Sequence, residues 1–153
     1  MPQNNLFPVF DIPSELAEDM QPIRFYHPAP AWDIETGDFV LNGARQIQYG
    51  SGYDAWVFWC TKTVLTQRWS HLGYSNNSGI EAEQAFRETN RKAAESVFRR
   101  TITEALLADP AGRTIQVRDF KFDWIADSMY VTCQVVGRNG DTATIQGTLK
   151  DLI

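Results

Sequence analysis

The spacing of hydrophobic positions changes period twice along this chain, and each change marks a different kind of element. At residues 32–41, "WDIETGDFVL", Trp32 and Ile34 alternate with Asp33 and Glu35, Thr36-Gly37 offers a turn, and Phe39, Val40 and Leu41 return. Alternation on both sides of a turn predicts a β-hairpin. Asn42-Gly43 predicts a second turn directly after it. In "AWVFWCTKTVLTQRW", residues 55–69, the period lengthens. Trp56, Trp59, Cys60, Thr63 and Val64 recur three and four apart and make one face of a helix, with Asp54 as its expected N-cap and Gly52 just before. Lys62, Thr66 and Gln67 fall elsewhere, and Trp69 lies past the helix end, partly exposed. "HLGYSNNSG" then breaks the pattern and predicts a loop.

A second helical region covers 80–107, interrupted near Thr89-Asn90 and ended by Pro110 and Gly112. Its buried face is Ala94, Val97, Phe98, Ile102, Ala105 and Leu106. Its other face carries Glu83/Arg87, Glu88/Lys92 and Glu95/Arg99, acid before base at a spacing that favours helical pairing. After that the period falls to two. Phe120, Phe122 and Trp124 alternate with Asp119, Lys121 and Asp123; Ala126-Asp127 turns the chain; Met129, Val131, Cys133 and Val135 share a face. Asn139-Gly140 predicts a type I′ hairpin, and "TATIQGTL" follows as a third strand. The expected fold is α+β: one domain with an N-terminal extended arm and β-hairpin, two helical segments and a C-terminal three-stranded antiparallel meander.

Residues 1–30 fit no periodic element. Six of the seven prolines stand at 2, 8, 13, 22, 28 and 30, which forbids a long helix or a central strand. Yet the segment carries Phe7, Val9, Phe10, Ile12, Ile23, Phe25 and Tyr26, too apolar for a free linker. It reads as an extended arm held against the 31–153 domain or against a neighbour.

Composition narrows the function classes. A chain of 153 residues, 43% hydrophobic and 22% charged, is one globular domain. A net charge of -5 weighs against nucleic acid, whose phosphates demand a basic footprint. Cys60 and Cys133 lie in apolar stretches, as buried thiols of a protein folded in a reducing cytoplasm. The start lacks a basic n-region, and the most apolar window, 55–61, is far shorter than the ~20 residues of a membrane span.

Candidate chemistry is sparse. His27 sits in the proline-rich arm and His71 in a loop, with no zinc, phosphate-loop or nucleophile-elbow spacing around either. Asp119, Asp123 and Glu104 are carboxylates, but the first two share the polar face of a strand, which is how an exposed face looks. No catalytic, cofactor-binding or metal-binding set emerges. The tryptophans at 56 and 59 read as a packing block.

"YDAWVFWCTKTVLTQRWSHLGYSNNSG" followed by "RRTITEALLADPAGRTIQVRDFKFDW" resembles the PBSX-like baseplate proteins of prophages and phages of Gram-positive hosts. Those are similar to the sheath-initiator, or "lysozyme-like", baseplate wedge proteins of contractile tails. The shared features are a helix ending in Leu-Thr-x-Arg (Leu65, Thr66, Arg68), a Tyr/Gly loop, and a helix running into an acid-Pro element before a strand. The opening "LFPVFDIP" and the hairpin fit the same group, so the resemblance spans roughly residues 5–150.

The resemblance implies a structural protein, with no enzymatic activity, in the tail baseplate of a virion assembled in the host cytoplasm. It would join the baseplate wedge and tail tube to the first sheath ring and initiate sheath assembly. The implied partners are baseplate wedge proteins, tail sheath protein and tail tube proteins, with several copies around the tail axis. Asp109, Pro110 and Arg113 match the family's wedge-contact triplet, with Ala111-Gly112 inserted, and are expected to contact a neighbouring subunit. The last strand adds an expectation of its own. Its outward positions Thr142, Thr144, Gln146 and Thr148 are polar and uncharged, which leaves an edge able to accept a strand. A small cell-wall hydrolase and a different tail or secretion-system interaction module are the alternatives.

Overall fold

The structure, a computed structural model, describes residues 26–150; the expected arm lies outside the described residues except for its last five, 26–30. In chain order, β1 (Ala29–Pro30) pairs with β4 (Tyr49–Gly50), and β2 (Trp32–Asp33) forms a hairpin with β3 (Asp38–Phe39). Three helices follow: α1 (Gly52–Leu65), α2 (Ala82–Phe86) and α3 (Arg91–Leu107). The chain closes with β5 (Thr114–Ile125), β6 (Ser128–Gly137) and β7 (Thr142–Lys150), an antiparallel meander in that order. The α+β class and the meander stand as the periodicities foretell.

Helix α1 starts earlier than its sequence suggests. Ser51 is the N-cap, and Asp54 is the third helical residue of a capping box: the Asp54 N–H donates to Ser51 Oγ, and the Asp54 carboxylate accepts from the Ser51 N–H. The reciprocal bonds satisfy two helix-end donors at once, which a lone Asp54 cap would not. The break in the second helical region lies where Asn90 stands. Its side chain accepts from the Lys92 N–H at 2.9 Å and caps α3. That break separates Glu88 from Lys92, and no ion pair links them. Glu83–Arg87 forms at 3.7 Å, but Glu95 instead accepts the Trp124 indole N–H at 2.9 Å and Arg99 lies over the Phe120 and Phe122 rings. Aromatic partners across the helix–sheet interface outcompete a solvated helical pair worth a few tenths of a kcal/mol.

The core lies between the sheet and helices α1 and α3. Met129, Val131, Cys133 and Val135 of β6, with Ala143, Ile145 and Leu149 of β7, meet Trp56, Cys60, Val64, Phe98, Ile102 and Leu106. Each large side chain so buried contributes about 1.5–3 kcal/mol. Phe86, Phe98 and Trp124 add edge-to-face contacts at centroid separations of 5.2–6.5 Å. The loop between β6 and β7 is not type I′, because only Gly140 of its turn residues has positive φ, at 85°. Gly137 N–H donates to the Asp141 carbonyl and Gly140 N–H to the Gly137 carbonyl, so the loop is three residues with a glycine bulge.

Candidate functional site

Strand β7 is an edge. Its inner neighbour β6 pairs with it without a slip over nine successive positions, from Ser128↔Lys150 to Val136↔Thr142. The Gly137–Asp141 bond fixes the phase of the ladder, so the odd-numbered β7 residues bond to β6. The even ones, Thr144, Gln146 and Thr148, direct their N–H and C=O groups to the open side, and their side chains lie exposed on the outer face. Thr142 is engaged: its carbonyl accepts from the Tyr53 hydroxyl at 2.8 Å. The usable free edge therefore begins at Thr144, and among the described residues nothing pairs with it.

Asp109, Pro110 and Arg113 come together, and two of them bond each other. The Arg113 guanidinium donates to both Asp109 carboxylate oxygens at 2.7 and 3.1 Å, while the backbone N–H groups of Ala111 and Arg113 donate to the same carboxylate at 3.1 Å each. The Asp109 side chain is wholly buried and that of Arg113 is 15% exposed. Arg113 also stacks over the Trp59 ring at 5.4 Å. Arg138 ties in the turn by donating from Nε to the Gly112 carbonyl and from its backbone N–H to the Arg113 carbonyl. Pro110, exposed, crowns this knot. The four-residue spacing of acid and base astride Pro-Ala-Gly was the available signal for an internal pair, and Gly112 with φ 60° closes it.

A second polar knot escaped the sequence reading. Arg68 donates to Glu81 at 2.7 Å and, from Nε, to the Gly79 carbonyl at 3.1 Å, with both side chains mostly buried. Arg68 N–H bonds to the Ile80 carbonyl and Ile80 N–H to the Thr66 carbonyl, so the 67–79 loop is pinched at its neck. Gly79, φ 87°, is required there because a Cβ would stand 2.5 Å from the Thr66 carbonyl oxygen. Trp69 projects from this loop 67% exposed, as expected for a residue past the helix end.

An apolar groove of about 430 Å³ lies between the β2–β3 hairpin and the outer side of α1, floored by Trp32, Ile34, Phe39, Phe58 and Leu65. Both thiols are buried, and burial pushes each up to about 12. No group of three or more potential metal ligands occurs among the described residues. No helix among them is long and apolar enough to cross a membrane.

The profile of a protein family described as contractile injection system sheath initiator matches residues 29–140. No curated protein matches the chain. The match spans most of the sequence and every element from β1 to β6, and the chain belongs to the sheath-initiator family. Its role is thus a sheath-related structural one in a contractile injection system, as a tail or baseplate component that interacts with sheath and baseplate proteins.

Proposed function

We propose that this protein joins the baseplate wedge and tail tube to the first sheath ring, and that the free edge of β7 templates the first sheath subunits by accepting a strand. It would act in several copies around the tail axis of a virion, on a baseplate assembled in the host cytoplasm. The observation that carries this reading is the β7 edge: regular pairing on one side, uncharged outward side chains, and N–H and C=O groups at Thr144, Gln146 and Thr148 that nothing among the described residues pairs with. Backbone groups in that geometry supply affinity to an added strand. The buried face of Ala143, Ile145 and Leu149 keeps β7 anchored in its own domain meanwhile. For the 109–113 turn, the proposal is that the Asp109–Arg113 pair acts as an internal brace and presents Pro110 and its turn to a wedge neighbour.

Proline at Thr144 or Gln146 tests the templating. Each substitution removes one outward donor and no ladder bond, since both amides face away from β6. Purified baseplates carrying either variant should fail to nucleate sheath of normal length while the isolated domain keeps its fold. Normal sheath on a folded Thr144→Pro and Gln146→Pro pair of variants would remove β7 as the template.

A further inference from the structure

We infer that the apolar groove between the β2–β3 hairpin and α1 is the seat of the chain's own residues 6–13, "LFPVFDIP". The groove is built like a receptor for an extended, proline-bearing segment. Trp32 stands edge-on to Phe39 at 4.9 Å and tilted to Phe58 at 6.2 Å, leaving an aromatic trough rimmed by Pro30, Ile34 and Leu65. Trp32, Phe39, Leu65 and Ile34 remain 37, 42, 43 and 53% exposed, a contiguous apolar surface with nothing over it among the described residues. Aromatic-lined grooves take proline-rich chains because such chains lose little entropy on docking.

Residues 6–13 match the groove in three respects. They carry Leu6, Phe7, Val9, Phe10 and Ile12, with Pro8 and Pro13 fixing φ in the extended range. Asp11 is their one charge, and Lys62 is the one charged side chain among the described residues that line the groove. Lys62 makes no ion pair among the described residues; its ammonium lies 5.2 Å from the Tyr74 ring. Reach is sufficient as well. The chain enters the described structure at Tyr26, packed on Trp56, and β1 forms part of the groove wall. A stretch as long as residues 14–25 can span at most roughly 40 Å, while a domain of this size has a radius of gyration of about 14 Å. Tethering gives the segment an effective concentration on the order of millimolar, which favours its own groove over that of another copy.

The test uses the full chain with Val9→Cys carrying a nitroxide. Cys60 and Cys133 are buried with thiols pushed up to about 12, so the added cysteine is modified selectively. The spin label should broaden the methyl signals of Ile34 and Leu65 in the isolated protein, and the broadening should survive tenfold dilution into unlabelled chain. Lys62→Glu should lower the docked-to-free ratio about threefold to fivefold. The reversed pair, Asp11→Lys with Lys62→Glu, should restore it. Unbroadened groove methyls in the isolated chain would overturn the inference and leave the groove to a partner protein. Broadening that appears only between mixed copies would overturn it in favour of exchange between chains. Neither result bears on the sheath reading, because no other protein takes part.

Discussion

The sheet has two edges, and they treat their free backbone differently. Strand β5 is long but irregular: its pairing with β6 slips between Thr114 and Gln116 and again between Arg118 and Lys121, and Asp119 at the second slip has φ 56°. Arg118, Asp119, Lys121 and Asp123 stud it with charge. Bulges and charges are how proteins keep an edge from recruiting a stray strand. Strand β7 has neither device before Lys150 and pairs with β6 without a slip. One edge carries both guards against an added strand; the other carries neither before Lys150. An asymmetry of this kind suits a piece that must be added to on one side only.

The largest expected effect comes from cutting the brace at the root of β5. Asp109→Ala removes the acceptor of four donors and strands the guanidinium of Arg113 beside Trp59. Breaking a buried pair costs about 3–5 kcal/mol; the partial exposure of Arg113 puts this one near 3. The melting temperature should fall by about 10 °C. A fall under 3 °C would mean that β5 is not held at its root by this pair. Next is Thr114→Val, at the first residue of β5. The Thr114 hydroxyl accepts from the buried Trp56 indole N–H at 2.9 Å, and valine leaves that donor unpaired for about 2 kcal/mol. Denaturant titration reads it directly, and a loss below 0.5 kcal/mol would show that the indole finds another acceptor.

Alkaline pH probes the strand that both edges share, through Cys133 on β6, and the α1 thiol packed against it. Each thiol's folded value is pushed up to about 12, by burial first of all, from an ordinary value of 9.0. Above pH 9 the unfolded thiol ionises and the folded one does not. Stability from this source is therefore complete below pH 9 and is lost as the pH climbs toward 12. The loss at pH 10 should be about 1 kcal/mol per thiol. Urea midpoints from pH 8 to 11 should decline less steeply for Cys133→Ala than for the parent chain. Equal slopes would mean that the thiol reaches solvent.

Smaller still is the bulge itself. Asp119 occupies the left-handed region, where glycine is free of the Cβ conflict and valine is not. Asp119→Gly should leave stability within about 0.5 kcal/mol, and Asp119→Val should lose about 1. If both are neutral, β5 has slipped into regular pairing, and its protection as an edge is gone with the bulge.

How far all this could be read from the residues depends on what carried the signal. Periodicity announced the split helix and the meander, because burial of one face imposes it: Phe98, Ile102 and Val131 are where three-and-four and two-residue spacings put them. The alternation of Thr142, Thr144, Gln146 and Thr148 against Ala143, Ile145 and Leu149 marked the exposed and buried faces of β7 in the same way. Features made by distant segments were silent. Arg68 meets Glu81 across a loop whose length hides the pairing, and Glu95 turns to Trp124 instead of Arg99. The groove was hidden by its own hairpin. Trp32 and Phe39 alternate with aspartates like a core strand, but strands of two residues are too short to bury what they carry.

The smallest effect separates the two ways in which the β7 edge could be read by a partner. Thr144→Lys places a charge in the middle of the edge, yet the side chain at 144 stands exposed on the outer face, perpendicular to the direction from which a strand would arrive. One lysine on an unslipped strand is a far weaker guard than the two slips and four charges of β5: its ammonium stays in water whether or not β7 is joined, and its N–H remains available. Folding stability should change by less than about 0.5 kcal/mol, as for most surface substitutions. If backbone pairing is what templates the sheath, nucleation on purified baseplates should stay within about twofold of the parent, in contrast to the failure expected of Thr144→Pro, which takes away the donor and leaves the outer face nearly unchanged. A lysine variant as defective as the proline variant would show that the partner reads the side chains of the outer face. The contrast between the two edges would then lie in their chemistry, threonine and glutamine against aspartate and lysine, and the regular unbulged backbone of β7 would be incidental to assembly.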